Sequence, residues 1–395
     1  MLKKISTKTR YIINKYILPS YSLEELFPNA EKLYPIKPEI VATPEVKQMN
    51  LVKLIEGIHS DYYSLPTIYS AHLSKVIYYP KYNLIFTESR KMIKETSPNI
   101  YVISTHQIYD LMKKVNVEAT KLFSFVARTQ KVSGICSIIR RSNHHNNHYH
   151  TLVDAIPRLY LLNQSEYQHI DEIKLLFSSE PTTTERFFID KLAPKNIKIT
   201  VMEKCNSLYS IEQLIFPTVM SRSYQKCGYL PSKYIQFFQN KVLPKRASKK
   251  TNRIFISRAK AKWRKMINED ELFEALKPYG FKKYFLEDIS IEAEIDLFFD
   301  ADYVIGSLGA GLTNMIFSQK IKVLEIFPNE YVHTYYYYLA KSLNHTYGYC
   351  NGLEEKSHVA TQKATTHRLD FRVNVSEVVE QMLELEKKQK YDNVT

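Results

Sequence analysis

The spacing of apolar positions changes near residue 147, and the elements it predicts change with it. Between residues 66 and 105, short β-branched and aromatic runs (TIYSAHLSKVIYY, NLIFTES, IYVIS) alternate with Pro, Asn and Lys turns, which predicts strands. From 147 onward helix-type and strand-type segments alternate. HTLVDAIPRLYLLN reads as a helix, with Leu152, Ile156, Leu159, Tyr160 and Leu162 on its apolar face. EIKLLFSS, IKITVM and IEQLIFP read as strands, and TTERFFIDKL and PSKYIQFFQNKVL as helices, with Pro231 near the start of the second, where proline is tolerated. After the polar, basic stretch KRASKKTN the alternation restarts. It runs through strand RIFISR, helix NEDELFEALKPY, strand KKYFLE, helix SIEAEIDLFFD, strand YVIGS, helix GLTNMIF, strand KVLEIF and helix YYYYLAKSL. The tail VSEVVEQMLELEKK reads as a last amphipathic helix with Ser376 as its N-cap.

Strands separated by helices call for parallel sheets with right-handed crossovers. In such sheets ligands bind at the carboxyl ends of the strands. Ser257, Arg258, Glu287, the run Gly306–Gly311 and Glu325 all fall at such ends. The 395 residues exceed one ordinary core. The class is therefore α/β with more than one domain. We expect residues 1–243 to form an N-terminal domain (β-rich over 66–105, α/β from 147), 244–252 a linker, 253–370 a C-terminal domain and 371–395 a closing helix.

The most informative stretch is YVIGSLGAGLTN. Of nine glycines in the chain, Gly306, Gly309 and Gly311 lie within six positions, between an apolar run and the helix expected from Leu312. Glycines there let the backbone approach a ligand closely. The first turn of the helix then offers unpartnered amides and the positive end of its dipole to an anion. As an isolated pattern such a turn more often serves packing alone. Thr313 and Asn314 sit in that first turn and can reach the same anion, although Asn314 can equally bond only to neighbouring backbone.

The formal charge of +14 calls for an anionic partner or a role in solubility. From Lys241 to Lys265 there are eleven Lys or Arg and no acidic residue. Within that run Arg258 ends a strand and precedes Lys260, Lys262, Arg264 and Lys265. The arginine fork suits phosphate, which makes Arg258 the best single diphosphate ligand and Arg264 a weaker one, against a reading as a solvated rim. Ser257 either donates to a phosphate or ends the strand. Glu325 either accepts from ribose hydroxyls or forms half of a buried ion pair. Glu287 either helps hold a base or ribose or caps a helix. The tyrosine run 335–338 is read as core packing with one ring at the site.

Cys136, Cys205, Cys227 and Cys350 form no CxxC pair, which favours a reduced, cytoplasmic setting. No apolar run approaches membrane-span length, and the N-terminus does not read as a signal peptide. Its basic and apolar residues (Lys3, Lys4, Lys8, Arg10 and Lys15 among Ile5, Tyr11, Ile12 and Ile13) suit either a helix on anionic lipid or a packed surface helix. The tract HHNNHYH invites a zinc reading through His144, His145, His148 and His150, but there is no second ligand cluster, and a polar loop lining an acceptor site is preferred. His150 and Asp154 are four apart, on one helix face, as a base and its orienting carboxylate would be. The alternatives are that His150 caps the helix while Asp154 pairs with Arg158, or that the carboxylate itself is the base.

Four segments in order resemble glycosyltransferase family 61: NHYHTLVDAIPRL (147–159), RIFISRAKAKWRKMINEDEL (253–272), the stretch 285–317 with its glycine turn, and KVLEIFP (322–328). The first matches the family pattern at Asn147, His150, Leu152, Asp154, Pro157 and Arg158. Thr151 stands where the family usually has tryptophan, and Leu308 where it usually has histidine. The resemblance implies a GT-B architecture, two Rossmann-like domains facing across a cleft, with a β-rich N-terminal portion. It implies inverting transfer, without metal or cofactor, from a nucleotide-diphosphate sugar such as a UDP-sugar to a glycan or lipid-linked acceptor. Catalysis would rest on His150 and Asp154, and acceptor binding on Asn147, His148 and Arg158. The donor would lie against Ser257, Arg258, Arg264, Gly309, Ala310, Gly311, Leu312, Thr313, Asn314 and Glu325. Composition associates such a chain with capsule or surface-polysaccharide synthesis on the inner face of a bacterial membrane. The competing readings are a non-catalytic binder of nucleic acid or another polyanion, disfavoured because no known nucleic-acid-binding pattern appears, and an inactive family member serving in an assembly.

Overall fold

The structure is a computed structural model that describes residues 20–28, 32–36, 40–42, 62–64, 67–96, 129–140, 147–221, 228–328, 334–354 and 370–392. The expected strand IYVIS, the N-terminal basic segment, Cys227 and His144 and His145 of the histidine tract lie outside these residues. The chain divides into two compact units, Met1–Pro38 with Pro66–Met220, and Glu39–Leu65 with Ser221–Thr395.

In the first unit the described residues form a nine-stranded sheet. Its strands are β1 (Ser20–Tyr21), β2 (Lys32–Ile36), β3 (Ile68–Tyr79), β4 (Leu84–Thr87), β5 (Met92–Ile93), β6 (Thr129–Ser137), β7 (Ile173–Phe177), β8 (Ile197–Val201) and β9 (Leu208–Pro217). The order is β1-β5-β4-β3-β9-β6-β7-β8, with β2 added alongside β3. Strands β9, β6, β7 and β8 run parallel, as the helix–strand alternation requires. The β-rich segment expected over 66–105 joins the same sheet. Its long strand β3 pairs antiparallel with β9, Tyr209 opposite Tyr78 and Pro217 opposite Ser70, so the sheet is mixed. Hairpin-connected strands such as β3 and β4 can pair only in this sense, whereas parallel neighbours need crossovers. Helix α1 (Thr183–Leu192) opens on a capping box, in which the Thr182 hydroxyl accepts from Glu185 N at 3.2 Å and the Glu185 carboxylate accepts from Thr182 N at 2.8 Å. Val76, Tyr78, Ile85, Ile138, Leu176, Ile211, Leu214 and Phe216 fill the core.

The second unit holds a five-stranded parallel sheet of described residues. Its strands are β10 (Asn252–Ile256), β11 (Phe281–Tyr284), β12 (Ala301–Ser307), β13 (Lys322–Phe327) and β14 (Thr346–Asn351), in the order β11-β10-β12-β13-β14. The helices are α2 (Ser232–Val242), α3 (Glu269–Leu276), α4 (Ile291–Phe299), α5 (Tyr335–Ser342) and α6 (Val375–Asp392). With β10 first in the chain, the order reads 2-1-3-4-5, a doubly wound sheet whose direction of winding reverses between β10 and β12. Residues 244–252 are tied down at the end of α4. Arg246 pairs with Asp300 at 2.6 Å, Lys249 N donates to Asp300 at 2.9 Å and the Ser248 hydroxyl donates to the Phe299 carbonyl at 2.6 Å. Helix α6 covers the sheet's face with Val378, Met382 and Leu385. Its N-cap is Asn374, whose side chain accepts from Glu377 N at 3.4 Å; Ser376, expected in that place, lies inside the helix. Among the described residues no helix is long and apolar enough to cross a membrane.

Candidate active site

The segment expected as one regular helix is wound in three ways: a π-turn over His150–Ala155, a 3-10 turn over Ile156–Arg158 and an α-turn over Leu159–Leu162. Pro157 lacks an N–H and enforces part of this irregularity. Such π-turns are rare and recur at functional sites. The winding keeps His150 and Asp154 together, with Nδ1 and Oδ2 2.7 Å apart. Asp154 is buried while His150 keeps an exposed edge. A carboxylate accepting from Nδ1–H fixes the tautomer and leaves the lone pair on Nε2, the arrangement of an oriented base. Asn147 is exposed and accepts from His150 N at 3.3 Å, and His148 is half-buried beside it. Arg158 departs from its expected place at an acceptor. Its guanidinium is buried over the Phe216 ring, and it donates to the Pro217 carbonyl at 2.6 Å and to the Ile139 carbonyl at 3.0 Å. It braces the ends of β9 and β6.

In the second unit the loops after β10 and β12 meet at the reversal point. Gly309 is extended (φ −176°), so left-handed freedom is not what it supplies. It supplies space: a Cβ there would lie 2.1 Å from Arg258 Nη1. Arg258 thus lies flat against the glycine turn, with Nη2 donating to the Trp263 carbonyl at 3.0 Å. Arg264 stands beside it, in a left-handed backbone conformation (φ 60°) that is uncommon outside glycine. Burial holds both guanidiniums below their ordinary pKa, and for Arg258 repulsion from Arg264 adds to the effect. Among the described residues neither has a carboxylate within ion-pair distance, and the Nε of each is buried without a hydrogen-bond partner. Two half-buried cations therefore stand together without an ion-pair partner among the described residues. Three other members of the basic run pair with carboxylates: Arg246 with Asp300, Arg253 with Glu386, and Lys260 with Asp288.

Several expected donor ligands are turned elsewhere. The Ser257 hydroxyl donates to Glu269 rather than to a phosphate, and Arg258 N donates to the other Glu269 oxygen at 2.9 Å. Glu269, at the start of α3, is buried and ties the end of β10 to that helix; in the sequence it was visible only as part of an acidic helix start. Asn314 is buried and donates to Glu294 at 2.9 Å. Leu312 is core and Thr313 is buried, its hydroxyl without a hydrogen-bond partner among the described residues. Residues Ala310–Phe317 form a 3-10 helix where an α-helix was expected, and Ala310 and Gly311 are its partly open start. Glu325 is fully buried, so it meets no ribose; Tyr347 donates to it at 2.6 Å. Tyr336 is the tyrosine of the run that reaches the site, donating to the Gly309 carbonyl at 2.6 Å.

A strand-end pair of arginines against a glycine turn, at the winding reversal of a parallel sheet, suits a phosphate-bearing ligand. Residues 148–324 match the family model Glycosyltransferase 61. The match supports that family, and with it a transferase that binds a sugar donor and an acceptor. The matched segment begins just before the His150–Asp154 pair and contains Arg258, Arg264 and the whole glycine turn. No curated protein matches the chain.

Proposed function

We propose that this chain is an inverting, metal-independent glycosyltransferase that moves a sugar from a nucleotide-diphosphate donor, a UDP-sugar first among them, to a hydroxyl of a glycan or lipid-linked acceptor. The observation that carries this reading is the pair Arg258 and Arg264, half-buried together beside the Gly309 turn without an ion-pair partner among the described residues. Holding two like charges in a partly desolvated place is unfavourable unless an anion joins them, and a diphosphate supplies the matching charge. The second unit would hold the donor and the first would supply the base, the division of labour of a GT-B enzyme.

In the proposed reaction the acceptor oxygen attacks the anomeric carbon opposite the leaving group, so the configuration inverts. Its proton passes to His150 Nε2, and Asp154 stabilises the resulting imidazolium through Nδ1. The bond from anomeric carbon to diphosphate oxygen breaks, and the growing charge on the diphosphate is met by the two guanidiniums and the amides that start the 3-10 helix. In this reading fixed cations take the place that a divalent ion would fill at the leaving diphosphate. We place the reaction in surface-polysaccharide synthesis such as capsule, in the cytoplasm and peripheral to the inner face of the membrane, with residues 1–18 as the contact to anionic lipid.

A panel of nucleotide sugars screened by thermal shift, followed by turnover with and without chelator, tests this reading. Stabilisation by one nucleotide-diphosphate sugar and chelator-insensitive transfer are expected. Activity abolished by chelator and restored by magnesium or manganese would overturn metal independence, and oligonucleotide binding without sugar-nucleotide binding would overturn the enzyme.

A further inference from the structure

Beyond the arginine pair the second unit holds a fully buried carboxyl, Glu325. Glu325, on β13, is 0% exposed; its Oε2 accepts from the Tyr347 hydroxyl of β14 at 2.6 Å, and its Oε1 is buried with no hydrogen-bond partner among the described residues. The groups that act on it are Arg264 from the loop after β10, Tyr347 from β14 and Tyr336 from α5, with Tyr349 flanking Tyr347 on β14. Arg264 in turn feels Glu325 and Tyr336, and its Nε is as unpartnered as Oε1. An ionised carboxylate here is the natural counter-charge to Arg264 and competes with any anion that Arg264 binds.

Resting on the donor reading above, we propose that Glu325 is a positioning residue of the anion site, acting through Arg264, and that binding of a nucleoside diphosphate is coupled to the uptake of one proton by Glu325. Ionised, Glu325 draws Arg264 inward and places a negative charge behind the diphosphate. Protonated, it leaves Arg264 to the ligand and avoids burying a third negative group.

The titration supports the geometry. Burial pushes the Glu325 carboxyl up to about 8, against the lowering effects of the Tyr347 hydrogen bond and the Arg264 charge. A bound diphosphate repels the carboxylate and raises that value further. Below about pH 8 the carboxyl is protonated in both free and bound protein, and affinity is flat on its account. Above it the free protein has lost a proton that the bound protein keeps, so affinity falls as pH rises, at most about tenfold per pH unit. The ligand's terminal phosphate titrates near pH 6, below this window, and burial moves Tyr336 and Tyr347 to ionise above it.

The test is isothermal titration of the full chain with UDP, GDP, CDP and ADP at pH 7.0 and about pH 8.8, in two buffers of different ionisation enthalpy. For the diphosphate that binds best, we expect proton uptake at the higher pH, little at pH 7.0, and an affinity that weakens several-fold between them. Glu325→Gln should lose both the uptake and the pH dependence. Tyr347→Phe removes a hydrogen bond that favours the ionised form, so it should shift the fall in affinity to higher pH, and it serves where the glutamine variant does not fold. Binding without proton uptake, or a Glu325→Gln variant with the parent's pH dependence, would overturn the coupling. If no diphosphate bound at any pH, the donor reading itself would fall, and the coupling with it.

Discussion

Adding one methyl group at Gly309 should disable the proposed donor site while leaving the fold almost untouched. The new Cβ would lie 2.1 Å from Arg258 Nη1 and 3.1 Å from its Cζ. Against an ordinary contact of about 3.5 Å the overlap with Nη1 is about 1.4 Å, so one group must move. Alanine accepts the Gly309 backbone, φ −176° and ψ 159°, without strain. The clashing atom is the end of a long side chain, which can swing outward by giving up its bond to the Trp263 carbonyl. That exposed bond contributes about 1 kcal/mol or less, and replacing glycine at an accessible backbone angle returns about 0.4–1 kcal/mol through the unfolded state. Folding stability of Gly309→Ala should therefore stay within about 1 kcal/mol of the parent. Turnover should fall about a hundredfold, the roughly 3 kcal/mol expected when a cation leaves a developing diphosphate charge. Arg258→Ala should show the same loss, and the double variant no more than either, because without the guanidinium the methyl has nothing to displace. Steady-state kinetics on the three variants, with urea denaturation as the folding control, measure each term. Near-parental turnover in Gly309→Ala, or additive losses in the double variant, would refute the steric coupling and return Arg258 to the solvated surface.

Three further outcomes follow from the same contacts. His150→Ala and Asp154→Asn should each lower turnover by about a hundredfold or more while nucleotide-sugar binding, followed by titration calorimetry, stays intact; near-normal rates in both would move the base elsewhere. Glu269→Ala removes the acceptor of both the Ser257 hydroxyl and Arg258 N, so turnover should drop at least about tenfold with a larger effect on kcat than on KM, and Glu269→Gln, which keeps an acceptor oxygen, should recover part of it; equal loss in both variants would point to charge rather than positioning. For Glu294, burial pushes the carboxyl up to about 7 from 4.5, partly offset by the Asn314 hydrogen bond. A raised carboxyl means that the folded protein keeps a proton the unfolded chain has released, so its contribution is fullest below pH 4.5 and is lost as pH rises to about 7. Glu294→Gln should remove that loss, about 3 kcal/mol over the window, read as the difference between the two proteins' urea stabilities at pH 5 and pH 8; parallel curves would refute it.

Most element positions could be read from the sequence because periodicity and caps are local properties of the chain. TTERFFIDKL forms the helix expected, and RIFIS, YVIGS and KVLEIF form neighbouring parallel strands. The four-residue spacing of His150 and Asp154 was enough to foresee their contact, which survives the change from α to π winding because both windings return the chain to nearly the same face after four residues. The glycine turn and Arg258 were also visible as strand-end features. What the sequence alone did not determine is which way each polar side chain turns. Ser257, Asn314 and Glu325 sit at strand ends or beside the glycine turn in sequence, yet tertiary packing gives them to Glu269, Glu294 and Tyr347. Those partners lie 12, 20 and 22 positions away. A buried polar group takes whichever partner the fold brings within reach, since leaving it unmatched costs more than any local preference can return. The antiparallel strand β3, the brace made by Arg158 and the meeting of Arg258 with Gly309 have the same origin: each depends on strand order and on space, which local spacing does not encode.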